Sequence, residues 1–304
     1  MTNIENFQLP KENHSEEPDT LALLPEPIIP ELRITYFTDP ICIWSWAFEP
    51  HWIRLIESIG SQVTFRFRMG GLIYPEEHNT RNPYTSQDAI SGLCADVEEK
   101  TDVELSDKVW KIHDVQSTYP ACISFHSAVE EGLEKQILFL RRIRQAYLLF
   151  GNYFMIESDF YRILEEIDLD KESFHYYWQS GIAYKEFMVS LAGNNIYGIH
   201  SFPSLMADEP GKTPLFVHGY HHFHRLKLMI SNAFPKLVWY PVPALDYILA
   251  LYQPLTSYEI IQLYDLTPDN LKDFLMSEKI KPLIKKVNGI DLYFHPQKKS
   301  KIKI

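Results

Sequence analysis

Cysteine is scarce in this chain: 304 residues hold three, Cys42, Cys94 and Cys122. Thiols so few and so scattered cannot form the framework that staples small secreted domains. Long apolar runs are absent as well. No stretch approaches the roughly 18–20 apolar residues that a membrane span requires. Residues 1–30, broken by Pro10, Pro18, Pro25, Pro27 and Pro30, contain no signal-peptide core. Positive charge is in deficit, with 29 Lys and Arg against 40 Asp and Glu, net -11, a balance that repels nucleic-acid phosphates. No internal repeat is visible. These absences predict a cytoplasmic protein in a reducing compartment, without a membrane partner, in which residues 1–30 form a flexible leader.

What is present is ample apolar material, 45% hydrophobic and 14% aromatic, enough for a packed core. The charge is uneven: Pro254 to Ile304 carries 9 Lys and 6 acidic residues, so a mildly basic end follows an acidic body. Leu32 to Thr38 is a β-rich run stopped by Asp39-Pro40. Trp44, Trp46, Phe48, Trp52, Leu55, Ile56 and Ile59 recur at helical spacing up to Gly60, and Val63 to Met69 alternates as a strand does. Together they make a βαβ unit with a right-handed crossover. Helical patterns then dominate: Ala121 to Glu131, Glu134 to Leu149, Ser158 to Ile167 and Lys171 to Leu191. Short strands at Pro203 to Met206 and Leu215 to Val217 precede a helix near Tyr220 to Ser231. This order predicts an α/β thioredoxin-like fold over residues 31–234, with a helical subdomain inserted at about 85–195. Pro235, Pro241 and Pro243 mark a linker to residues 235–304. There, three helical patterns and an Asn288-Gly289 hairpin predict a winged-helix-like α+β module.

The chemistry centres on Cys42, at the turn from strand to helix. A thiolate there faces free backbone N–H groups and the positive helix end, which lowers a cysteine pKa from about 8.5 toward about 3.5–7.5. The competing reading is a small buried hydrophobe. Four segments in order, TDPICIWSWAFEPHW, RFRMGGL, TYPAC and GIHSFPSLM, resemble the DsbA-like thioredoxin-fold family, in the branch of FrnE-type protein-disulfide isomerases. Kappa-class glutathione transferases, 2-hydroxychromene-2-carboxylate isomerases and ClpXP adaptors belong to the same clan. The resemblance implies that Cys42 is the attacking thiol and that Ser45 occupies the place of the second cysteine of C-x-x-C. A serine cannot close a disulfide, so monothiol chemistry remains, with Ser45 as a hydrogen-bond donor. The resemblance also implies that Pro203 is the cis-proline beside the sulfur, with the backbone of Phe202 presented to a peptide or to glutathione. Trp44, Trp46 and Tyr119 are expected to line the groove. Cys122 is the candidate resolving thiol, against the alternative of a structural cysteine, and Cys94 is read as core.

Two functions follow. One is a thiol–disulfide oxidoreductase or isomerase acting on a protein or small-molecule thiol, with no tightly bound cofactor and glutathione as the candidate cosubstrate. The other is a non-catalytic protein-binding adaptor. Other signals are weaker. His218, His221, His222 and His224 match no zinc spacing, so no metal is expected. Gly70-Gly71 is a turn rather than a phosphate loop. Glu49 and His51 either tune the cysteine or lie on a solvated face, and Arg141, Arg142 and Arg144 are expected on an exposed helix face. The third C-terminal helix has Lys272 as its one base beside Asp269 and Asp273, which argues against nucleic acid.

Overall fold

The structure is a computed structural model that describes residues 31–73, 84, 87–129 and 132–298. The expected leader at 1–30 lies outside the described residues. Four strands, β1 (Arg33–Thr38), β2 (Thr64–Met69), β3 (Ser204–Asp208) and β4 (Leu215–His218), form a sheet in the order β2-β1-β3-β4. β1 runs parallel to β2 and antiparallel to β3, and β3 pairs antiparallel with β4. Arg33 stands opposite Asp208 in the register and forms an ion pair with it across the strands. The sheet and the βαβ unit are those the sequence predicts.

Between β1 and β2 the expected single helix is two: α1 (Ile43–Ala47) and α2 (Glu49–Ile59). Pro50, in the first turn of α2, has no N–H to continue the ladder, so the chain restarts at Phe48. α2 presses Phe48, Trp52, Leu55 and Ile59 onto Ile34, Tyr36, Leu205 and Val217 of the sheet, and α10 (Phe223–Ala233) adds Phe223, Leu226 and Ile230 to the same cluster.

The insertion contains α3 (Gln87–Thr101), α4 (Lys108–Ile112), α5 (Tyr119–Ser127), α6 (Leu133–Leu148), α7 (Glu157–Glu166), α8 (Lys171–Gln179) and α9 (Ile182–Ile196). The helix expected over Lys171 to Leu191 is broken at Gly181, whose φ of 73° is left-handed and costs little without a Cβ. Among the described residues, no helix is long and apolar enough to cross a membrane.

The C-terminal segment is α11 (Leu245–Tyr252), β5 (Leu255–Thr256), α12 (Ser257–Tyr264), α13 (Leu271–Ser277), β6 (Leu283–Val287) and β7 (Ile290–Phe294), with the sheet ordered β5-β7-β6. That is a winged-helix-like arrangement. Asn288 and Gly289, with φ of 49° and 87°, make the predicted tight hairpin. The module shares its core with the rest of the chain. Leu245, Ile248, Leu249, Ile260 and Leu263 pack with Ile53 of α2 and Ile137 of α6. The proline-rich connection is also tied down: Gln62 Nε2 donates to Val238 O at 2.6 Å, and Val238 N donates back to Gln62 Oε1 at 2.9 Å.

Candidate active-site cysteine and its cleft

Cys42 is the N-cap residue immediately before α1, at the end of the turn after β1, and its N–H donates to Asp39 O at 3.2 Å. The side chain is 3% exposed. Its thiol donates to Phe202 O at 3.6 Å, across the cis Phe202-Pro203 bond that the sequence predicts. The Tyr84 hydroxyl donates to Cys42 Sγ at 3.8 Å and accepts from Ile43 N at 3.2 Å. Tyr84 escaped the sequence reading because no periodicity marks its segment.

The expected fall in the Cys42 pKa is reversed. Burial pushes the thiol up, and the nearby Asp39 adds to it. Ser45, through its hydroxyl and backbone N–H, and then Tyr84, pull it down without offsetting burial. The physical reason lies in the local architecture. α1 is five residues long and ends at the Phe48 break, so few peptide dipoles align behind the sulfur, while the surrounding structure removes water. Ser45 is buried next to the thiol, but its Oγ closes no hydrogen bond of ordinary geometry.

Asp39 was legible only as a turn residue; in the structure it is the anchor of the site. Its buried carboxylate accepts from Ile41 N at 3.0 Å, Leu72 N at 2.9 Å and Thr118 Oγ1 at 3.0 Å. The Cys122 thiol donates to the same carboxylate at 3.5 Å. Cys122 is fully buried among Met69, Phe125, Leu140 and Phe187, and burial followed by the Asp39 charge holds its pKa well above the ordinary value. All three cysteines are free thiols. Cys94 lies in the main core, as expected. Gly70 and Gly71 shape the neighbouring backbone. A Cβ on Gly70 would collide with the Phe202 ring, and Gly71 turns the chain at φ 62° so that Leu72 N meets Asp39.

A cleft of about 550 Å³ opens near this site, with Cys42 itself not among its described lining residues. Trp44 and Phe202 line it, together with Tyr220, His221, His222 and Arg225. Trp46 does not reach it. That ring is 1% exposed and donates from Nε1 to Glu104 O at 3.0 Å, because at position two after Trp44 it faces the insertion core. Tyr119 is half-buried against Phe187, ring centroids 4.8 Å apart, rather than in this cleft.

Glu49 and His51 are both buried rather than solvated. His51 Nε2 lies 3.0 Å from the Tyr220 hydroxyl, which is 3.3 Å from both His222 Nδ1 and the Tyr258 hydroxyl. Burial first, then neighbouring positive charge, lowers the His51 pKa to about 3. His224 pairs with Asp265 at 2.9 Å. Among the described residues, no three His, Cys, Asp or Glu side chains converge as metal ligands do.

The arginine cluster requires a correction. Arg141 and Arg144 are fully buried and Arg142 is 7% exposed. Arg144 bonds Glu49 and Thr38, while Arg141 donates to Glu259 at 2.6 Å, Tyr252 O at 2.7 Å and Pro254 O at 2.8 Å. Helix α6 is wrapped by the thioredoxin core and the C-terminal module, so no face of this turn reaches solvent.

Comparison with known proteins decides the family, since a thioredoxin family model matches residues 36–226. The chain belongs to the thioredoxin family. Its fold is that of the DsbA-like members. A Nitrosomonas europaea protein assigned as a disulfide isomerase is 19% identical at a TM-score of 0.57, covering 66% of this chain and 96% of its own. The cytosolic disulfide reductase DsbM of Pseudomonas aeruginosa is 18% identical at a TM-score of 0.50, covering 61% of this chain and 88% of its own. At these identities the likeness is one of fold. The ClpXP adapter protein SpxH of Halalkalibacterium halodurans is 23% identical over 263 residues, 82% of this chain and 84% of its own.

Proposed function

We propose that this thioredoxin-family protein works as a protein-binding adapter of the kind that serves the ClpXP protease, with the redox fold as its platform. The observation that carries this reading is the sealed, singly thiolated site. Cys42 is 3% exposed with its pKa raised, and Ser45 stands where a second thiol would be needed to close a disulfide. The extent of the relatives agrees. The structures described as a disulfide isomerase and a disulfide reductase cover 61–66% of the chain, whereas the adapter covers 82%. A two-part chain with a shared core presents a larger continuous surface than the thioredoxin fold alone, as a docking platform requires.

A specific observation favours a second reading, monothiol exchange at Cys42 with a protein thiol or with glutathione as cosubstrate. The cleft lined by Trp44, Phe202 and Tyr220 also has Lys100 and Arg225 in its walls and no carboxylate among its described lining residues. In such exchange the Cys42 thiolate attacks one sulfur of R–S–S–R′. The Cys42–S–S–R bond forms and R′–S⁻ leaves, with no net oxidation. One experiment separates the two readings: glutathione-coupled reduction of a small disulfide at neutral pH, with Cys42→Ser as the blank. The adapter reading predicts turnover equal to the blank, together with faster ClpXP degradation of a bound partner by both wild type and Cys42→Ser. Turnover that disappears with Cys42→Ser would replace it by the exchange reading.

A further inference from the structure

Arg142 is the α6 arginine that forms no ion pair among the described residues. Its neighbours Arg141 and Arg144 each face a buried carboxylate. Among the described residues, Arg142 has no acidic oxygen within 4.0 Å. Its Nη1 donates to Gln145 Oε1 at 2.6 Å, and its buried Nε has no partner. Gln145 is neutral, and its amide nitrogen is committed to Pro254 O at 2.8 Å. Burial and then the Arg141 charge push the Arg142 pKa down to about 9, with Glu166 and Glu259 opposing from longer range, so the guanidinium remains cationic at neutral pH. Keeping such a charge buried and unpaired is unfavourable, and a polar or apolar residue of similar size would be tolerated better.

Arg142 lines a cavity of about 340 Å³, within the size range of small-molecule sites. Phe150, Phe154, Ile163 and Ala146 give it apolar walls, and Asn152 adds an amide. Two acids also line it, and both are engaged. Asp159 accepts from Met155 N at 2.7 Å and Ile156 N at 3.0 Å, and Glu166 accepts from Arg162 Nε at 3.2 Å. The cavity shares no lining residue with the cleft near Cys42.

We propose that this cavity is a binding site for a small organic carboxylate with an apolar or aromatic body, held by Arg142. A planar carboxylate matches the guanidinium fork, and the apolar walls receive the body. The two fixed acids disfavour a dianion, so a carboxylate is preferred to a phosphate. The site is independent of whichever function Cys42 serves.

The test is calorimetric titration of the full chain with benzoate and 3-phenylpropionate, against neutral benzamide and inorganic phosphate. At least one carboxylate is expected to bind saturably, with benzamide and phosphate each at least about ten-fold weaker. Arg142→Met is expected to lose at least about ten-fold in affinity, and Cys42→Ser to bind as wild type does. Absence of carboxylate binding at millimolar concentration overturns the proposal. So does benzamide or phosphate binding as tightly, full binding by folded Arg142→Met, or loss of binding in Cys42→Ser. If Arg142→Met fails to fold, the benzamide comparison on wild type decides alone.

Discussion

At Cys42 the local sequence and the tertiary surroundings pull in opposite directions. A strand-to-helix turn favours a thiolate, and that much is visible in TDPIC. What overrides it is contributed from far along the chain: the packing that removes water from the sulfur, with the Phe202 carbonyl accepting from the thiol, against which the donated Tyr84 hydroxyl is too weak. None of these leaves a mark in the residues next to Cys42. His51 shows the same limit, since its spacing fits a solvated face or a tuned site equally well, and only packing against Tyr220 and His222 settles the matter. Its folded pKa of about 3 lies below the 6.5 of an exposed histidine, so the unfolded state binds more protons between those values. The stabilising contribution is therefore fully present above pH 6.5 and is lost as the pH falls toward 3. Its share is about 2 kcal/mol between about pH 7 and about pH 5. Urea unfolding at these two pH values should show this loss in wild type and a difference smaller by that amount in His51→Phe. An unchanged difference would show that His51 is not the group responsible.

At the scale of elements, α6 carries the clearest divergence between pattern and structure. Three arginines within four positions look like a solvent face, because a single sequence shows no counter-charges. The partners of Arg144 and Arg141 are Glu49, at the start of α2, and Glu259, in the capping box of α12, while Arg142 turns to Gln145. Glu259 therefore both caps a helix and fixes Arg141, which joins the C-terminal module to the insertion. Arg141→Met should destabilise the protein by about 3–5 kcal/mol, because it strands a buried carboxylate and two carbonyls. Arg33→Ala, at the partly exposed cross-strand pair, should cost less than about 1 kcal/mol. Chemical denaturation of the two variants checks the contrast; equal losses would mean that the α6 network does not hold the units together. Elements with strong local signals were legible: β1, β2, α12 and the Asn288-Gly289 hairpin lie where their patterns place them. α3 and α4 were not located, because their apolar positions are sparse and much of each helix is exposed.

For the whole molecule, order along the chain was more legible than association. A βαβ unit, a helical block and a ββα ending give the thioredoxin fold from sequence alone. The prolines at 235, 241 and 243 mark a linker, and in the structure Val238 and Tyr240 within it bond to Gln62 and to Ser58 O, while one apolar cluster spans α2, α6, α11 and α12. Unfolding followed by tryptophan fluorescence and by far-ultraviolet circular dichroism should therefore give coincident single transitions. An early transition of the module alone would show that the shared core does not couple the two parts.

The central claim is that Cys42 is sealed within a binding platform, and its alkylation rate tests that claim most directly. Iodoacetamide labelling from about pH 6 to about pH 10, with Cys42 resolved by peptide mass spectrometry, gives the thiol's own titration. The account predicts slow labelling with a midpoint above the ordinary ~8.5 of a free cysteine. Fast labelling with a midpoint well below that value would reveal a thiolate prepared for exchange and contradict the account.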